Sequence, residues 1–192
     1  MATYSTLQTD IATWMHRSDL TSVIPSFIQL AEEELFKTHF NALRVREMEA
    51  EVTLTVTSLA ATLPADFLEA RYIKLDDSIR TTLFYIPPEK WRPASSGYFT
   101  IIGTEIRLPT GVSNDLKLVY YAKPDPLSVT PTNSVLDNYY GAYLKGALKY
   151  SFMFAKDPNA AIAAQAEFDS YLQNASSNNK PVAAGPLYVV TA

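Results

Sequence analysis

Hydrophobic positions along the chain change their period twice. They first fall at Leu7, Ile11, Trp14 and Met15, which places them on one helical face, and Ser5 offers a capping hydroxyl. Val23, Ile24, Phe27, Ile28, Ala31 and Leu35 form a second, longer stripe. Pro25 suits a first turn and residues 19–22 supply capping oxygens, so a helix is predicted to about Phe40. After Arg46 the period becomes two. Val52, Leu54 and Val56 alternate with Thr53, Thr55 and Thr57, the pattern of a strand with one buried face.

Prolines between Pro64 and Pro131, with Gly97, Gly103 and Gly111, cut the middle of the chain into short pieces. Strands are predicted at 83–86, 98–102, 105–108 and 116–122, with Gly103 and Thr104 as a hairpin turn. Residues 65–75 read as a helical turn or short helix after Pro64. Helical spacing then returns at Leu136, Tyr140, Tyr143, Ala147, Ser151 and Phe154. The sequence KDPN at 156–159 stops that helix, and 160–172, marked by Ile162, Ala166, Phe168 and Asp169, gives a last one antiparallel to it. The expected fold is α+β. Residues 1–46 and 132–173 supply a helical body, 47–131 a β-rich insertion, and 174–192 an extended arm.

The arm is distinctive in composition. From Asn174 onward there are Asn, Ser, Ala, two prolines and one lysine, no acid, and a terminal cluster Leu187-Tyr188-Val189-Val190. Solubilising tails are charged and poor in aromatics, whereas strand-forming apolar residues cost free energy in water. Pro181, Val182, Pro186, Leu187, Tyr188, Val189 and Val190 are therefore candidate partner-binding residues, through strand addition or groove packing.

Composition narrows the chemistry. At 192 residues and 47% hydrophobic, the chain suits one domain with an appendage. It contains no cysteine, which removes disulfides, thiolate metal sites and cysteine nucleophiles. A net charge of −4 disfavours general nucleic-acid binding, whose affinity comes from basic groups displacing counterions. The N-terminus lacks the charged and apolar regions of a secretion signal, and no apolar run reaches membrane-spanning length. Synthesis and folding in the cytosol are expected, without a membrane partner.

No catalytic, cofactor or metal site emerges. His16 and His39 are the only histidines and fall on different predicted helices, too few for a metal centre. GAYLKG at 141–146 has glycine spacing near that of a phosphate loop but lacks the following Lys-Ser/Thr. Its small residues, with Ala147, read better as a close helix-packing seam. Ser95-Ser96-Gly97 has no nucleophile-elbow context. Glu32, Glu33 and Glu34 raise the possibility of a glycosidase-like acid pair, as in a peptidoglycan-cutting enzyme. Three consecutive helical positions spread over roughly 200°, so the simpler reading is a solvated face. The tyrosines crowding 139–150 suit half-wet protein contacts, which also leaves open a cytosolic host-interaction module.

The order of segments carries more. IPSFIQLAEEEL at 24–35, RVREMEAE at 44–51, LPADFLEARYIKL at 63–75, YFTIIGTEIRLP at 98–109, LKLVYYAKPDPLS at 116–128 and LDNYYGAYLKGALKYSFMFAKDPNAA at 136–161 follow one another. Together they resemble the head-to-tail adaptor (connector) proteins of short-tailed and related tailed phages. One departure is TNSVL at 132–136, where that pattern often has Asn-Trp-Leu. The resemblance implies a non-enzymatic virion protein at the head-tail junction, assembled in the host cytoplasm. It further implies a closed ring of about twelve copies, docked on the portal and carrying a tail nozzle or tail-tube protein. Double-stranded DNA would pass through without sequence-specific contact, and the arm would bind the portal. On a ring reading, Glu32, Glu33, Arg44, Arg46, Glu47, Tyr139 and Tyr140 are candidate subunit-interface residues.

Overall fold

The computed structural model describes residues 2–37, 42–79 and 81–183. The chain divides into a helical unit, Met1–Met48 with Pro124–Ala192, and a sheet unit, Glu49–Lys123. The fold class is α+β, as the changes of period predict.

In the helical unit, α1 (Tyr4–Met15) buries Leu7, Ile11 and Met15. Its cap is Thr3 rather than Ser5: the Thr3 hydroxyl accepts from the Thr6 N–H, and the Thr6 hydroxyl accepts in return from the Thr3 N–H. This reciprocal pairing satisfies two otherwise orphaned amides. Helix α2 (Ile24–Lys37) buries Ile24, Phe27, Ile28, Ala31 and Leu35, the predicted stripe. A 3-10 turn at Arg46–Met48 leads out of the unit. The chain returns through Pro124 to a short α3 (Ser134–Asn138), capped by Asn133, and then α4 (Tyr140–Phe154).

Helix α5 (Pro158–Ala183) begins with proline at its first position. The Asp157 carboxylate accepts from the Ala160 N–H at 3.0 Å, so the KDPN sequence both stops α4 and starts α5. Helix α5 does not end at Leu172 as the periodicity suggested. Its buried stripe of Ala161, Ala164, Phe168 and Leu172 continues to Ala175, and the helix runs into the segment read as an arm. Gly146 serves the packing role expected of it. A Cβ there would lie 2.9 Å from the Phe168 ring and 3.1 Å from the Ala31 Cβ, so glycine lets α2 and α5 both approach α4.

The sheet unit forms one curled seven-stranded sheet of order β1-β7-β3-β4-β5-β6-β2. Its strands are β1 (Glu49–Leu54), β2 (Ala60–Thr62), β3 (Phe67–Leu75), β4 (Thr82–Tyr85), β5 (Tyr98–Ile102), β6 (Glu105–Arg107) and β7 (Leu116–Ala122). Gly103, with φ 62°, turns between β5 and β6, which pair Ile102 with Glu105, as the sequence suggests. A second tight turn was not foreseen. Ser58 and Leu59 both have positive φ, 52° and 61°, a conformation that suits a tight hairpin but strains a leucine.

Strand β3 overturns the helical reading of 65–75. It pairs with β7, with register shifts between Phe67 and Glu69 and between Ala70 and Tyr72. Each shift inserts an extra residue. The core-facing side chains therefore fall at Phe67, Ala70, Ile73 and Leu75, spaced three, three and two. Opposite them β7 keeps strict alternation with Leu116, Leu118, Tyr120 and Ala122. Two bulges give a strand the spacing of a helix.

Candidate functional site

The acidic run of α2 is not a uniformly solvated face. Glu32 is only 7% exposed, and its carboxylate accepts from the Leu127 N–H at 3.0 Å. That bond fastens the proline-rich stretch after Pro124 to α2. Glu34 pairs with the Lys149 ammonium and accepts from the Tyr150 hydroxyl at 2.8 Å. Glu33 is exposed. The run is thus divided, with Glu32 meeting a backbone amide and Glu34 a buried cation, and its acids do not converge as a glycosidase pair must.

Both lysines of α4 are buried, which charge alone makes costly. Each finds an acid and an aromatic ring. Lys149 lies against Glu34 with its Nζ 5.3 Å from the Phe168 ring centre. Lys145 is 2.7 Å from a Glu167 carboxylate oxygen and 3.9 Å from the Trp14 ring centre. Sequence reading missed this pair, although lysines four apart within an apolar helix were a signal.

The other interface candidates lie as follows. Arg44 donates to the Leu43 carbonyl at 2.8 Å and to the Phe36 carbonyl at 3.4 Å. Arg46 and Glu47 are exposed, and Glu47 accepts from the Asn138 side-chain amide at 2.9 Å. That contact brings the 3-10 turn beside Tyr139, which links α3 to α4. The Tyr140 hydroxyl donates to Asp10 at 2.5 Å. Of the arm residues, Pro181 and Val182 lie within the α5 backbone, while Pro186, Leu187, Tyr188, Val189 and Val190 lie outside the described residues. So does His39. His16 caps α1 with φ 51° and lines an open groove of about 570 Å³ with Ser5, Thr9, Thr13 and Arg17.

Burial pushes the phenols of Tyr143, Tyr140 and Tyr150 well above their ordinary range. Neighbouring carboxylates add to it: Glu32 acts on Tyr143, Asp10 on Tyr140 and Glu34 on Tyr150. A phenol pKa raised by folding leaves its contribution intact below the unfolded value near 10, and that contribution is lost as pH rises through the folded value. Melting temperature should therefore fall above about pH 10. Tyr143 is fully buried, so it adds at most about 1.4 kcal/mol per pH unit to that fall. Tyr143→Phe should flatten it; an unchanged alkaline profile in the variant would remove this phenol from the explanation.

The outer face of the sheet unit carries a surface that the sequence reading did not single out. Ile73, Leu83 and Phe99 point into the core, so their neighbours point outward. Phe84 pairs with Tyr98, ring centres 6.2 Å apart, and both are exposed, at 62% and 42%. Beside them the Lys74 ammonium lies 4.8 Å from the Tyr72 ring centre, and Lys74 sits opposite Lys117 in the register. Thus two cations and three aromatic rings face outward together.

Among the described residues no cluster of histidine and acids could hold a metal ion, and no helix is long and apolar enough to cross a membrane. What the two units offer is surface: exposed rings, acid-lined helices and charges fixed by partners. Such surfaces suit a structural component. The family model described as SU10 adaptor protein matches residues 2–189, so the chain belongs to the SU10 adaptor protein family. No curated protein matches the chain. Family membership agrees with the sequence resemblance to phage adaptors and assigns a structural adaptor role.

Proposed function

We propose that the chain is the head-to-tail adaptor subunit of a tailed phage, forming a closed ring of about twelve copies between portal and tail protein. The observation that carries this reading is the family match across residues 2–189. The ring holds the two assemblies in register around the DNA path, and its chemistry is contact and shape. A net charge of −4 suits a channel through which DNA slides without the counterion release that makes binding sticky. The portal contact falls to the part of residues 174–192 that follows Ala175, which belongs to the buried stripe of α5. Helix α5 carries the chain to Ala183, and the apolar sequence at 187–190 follows it. Assembly takes place in the host cytoplasm, with ring closure accompanying docking. Electron microscopy of the protein mixed with its portal tests the reading: adaptor rings seated on portal rings are expected, and portals left bare would refute it.

A further inference from the structure

We infer that the helical unit binds one internal water molecule between the Tyr143 hydroxyl of α4 and the Asn133 side-chain amide at the start of α3. The inference is independent of the ring reading. Tyr143 has no solvent exposure, and its hydroxyl makes no hydrogen bond to a protein group. The Asn133 Nδ2 is likewise buried and unbonded, although Oδ1 of the same side chain accepts from the Leu136 N–H at 2.7 Å. That bond fixes which end of the amide is left to donate. Buried polar groups are almost always satisfied, by protein or by ordered water, because an unsatisfied one costs a sizeable part of a fold's stability.

The two groups share one place. The Asn133 amide lies near enough to act on the Tyr143 phenol, as does the charge of Glu32, yet no direct hydrogen bond joins amide and hydroxyl. Polar groups that face each other beyond direct reach are the usual setting of a bridging water. Glu32 belongs to the same neighbourhood, since Phe36, one turn further along α2, sets its ring centre 6.3 Å from that of Tyr143. Donor chemistry then selects the ligand. The amide nitrogen only donates, the phenol carries one hydrogen, and a carboxylate only accepts. Water accepts from Asn133 Nδ2 and from Tyr143 Oη and turns its own hydrogens toward Glu32. A cation would face the amide hydrogens, and an anion would face the Glu32 charge. The filled site ties α3 and α4 to the stretch that Glu32 already fastens through the Leu127 N–H.

A high-resolution crystal structure of the full-length protein tests the site. Density for one water within hydrogen-bond distance of both Asn133 Nδ2 and Tyr143 Oη is expected. A hydroxyl bonded directly to Asn133 or Glu32, with no water between, would overturn the inference. Tyr143→Phe gives a second reading in solution. Magnetic relaxation dispersion of the water oxygen should count one long-lived internal water fewer in the variant. The folded-to-unfolded ratio from denaturant titration should fall at least about fivefold, because the Asn133 amide loses its bridge. A phenol that is merely dry predicts the opposite sign, since removing its hydroxyl relieves an unsatisfied group. An equal water count, or a variant as stable as the parent or more so, would each contradict the site.

Discussion

Removal of residues 184–192 should abolish capture of the chain by portal rings while leaving its thermal unfolding nearly unchanged. The buried stripe of α5 extends to Ala175, and the truncation leaves it whole. The segment removed contains Leu187, Tyr188, Val189 and Val190, each contributing about 1.5–3 kcal/mol when fully buried. Ordering such a segment on a partner costs about 2–5 kcal/mol. Four such residues give about 6–12 kcal/mol, so the surplus is about 1–10 kcal/mol, a few-fold in affinity at its smallest and beyond a hundredfold over most of that range. Co-sedimentation with purified portal rings reads this directly, and calorimetry of the free protein supplies the control. Full binding by the truncated chain would remove the arm from the portal contact. A marked fall in melting temperature would show that the segment serves its own fold.

The second large effect is expected at Glu32. Replacing it with alanine leaves the Leu127 N–H, on a residue with no solvent exposure, without its acceptor. An unsatisfied buried donor costs about 1–3 kcal/mol, and the vacated side-chain volume adds to that. The loss is then a sizeable fraction of the roughly 5–15 kcal/mol that holds a domain folded. Glu32→Gln keeps an oxygen acceptor at the same reach and should cost much less. Denaturant unfolding ranks the two variants, and hydrogen exchange at the Leu127 amide reports the bond itself. If Glu32→Ala unfolds within about 0.5 kcal/mol of the parent, as surface substitutions do, the carboxylate does not hold the 124–131 stretch.

Much of the fold was legible because burial writes a period into the sequence. The stripe of α2 and the strands β4 to β7 lie where apolar spacing put them, whereas Trp14 and Phe154, read into the stripes of α1 and α4, are exposed, and the helix read from Leu136 to Phe154 breaks at Tyr139 into α3 and α4. Legibility failed where something other than periodicity decided. In β3 two bulges shifted the core-facing residues into helical spacing. At the start of α1, Thr3 outcompeted Ser5 because Thr6 completes the reciprocal cap. In α5 Ala175, the buried residue beyond Leu172, is too weakly apolar to announce that the stripe continues.

The candidate site was less legible than the fold. The run at Glu32, Glu33 and Glu34 reads as one solvated face, yet Glu32 and Glu34 are held by a backbone amide and a lysine distant in sequence. A carboxylate carries no mark of the donor it will meet. The outward rings Tyr72, Phe84 and Tyr98 were equally hidden. An aromatic residue in a strand reads the same on either face until the register is known, and here it is set by Ile73 opposite Leu83 and Phe84 opposite Tyr98. The order of segments, by contrast, pointed to the adaptor family from the sequence alone.

The most direct measurement is electron microscopy of purified phage particles and of portal rings incubated with the full-length protein. A closed collar of adaptor density beneath each portal, with its C-terminal segments reaching up onto portal subunits, is the expected image. A collar whose C-terminal segments fold back onto their own subunits, or particles lacking this protein at the junction, would contradict the account.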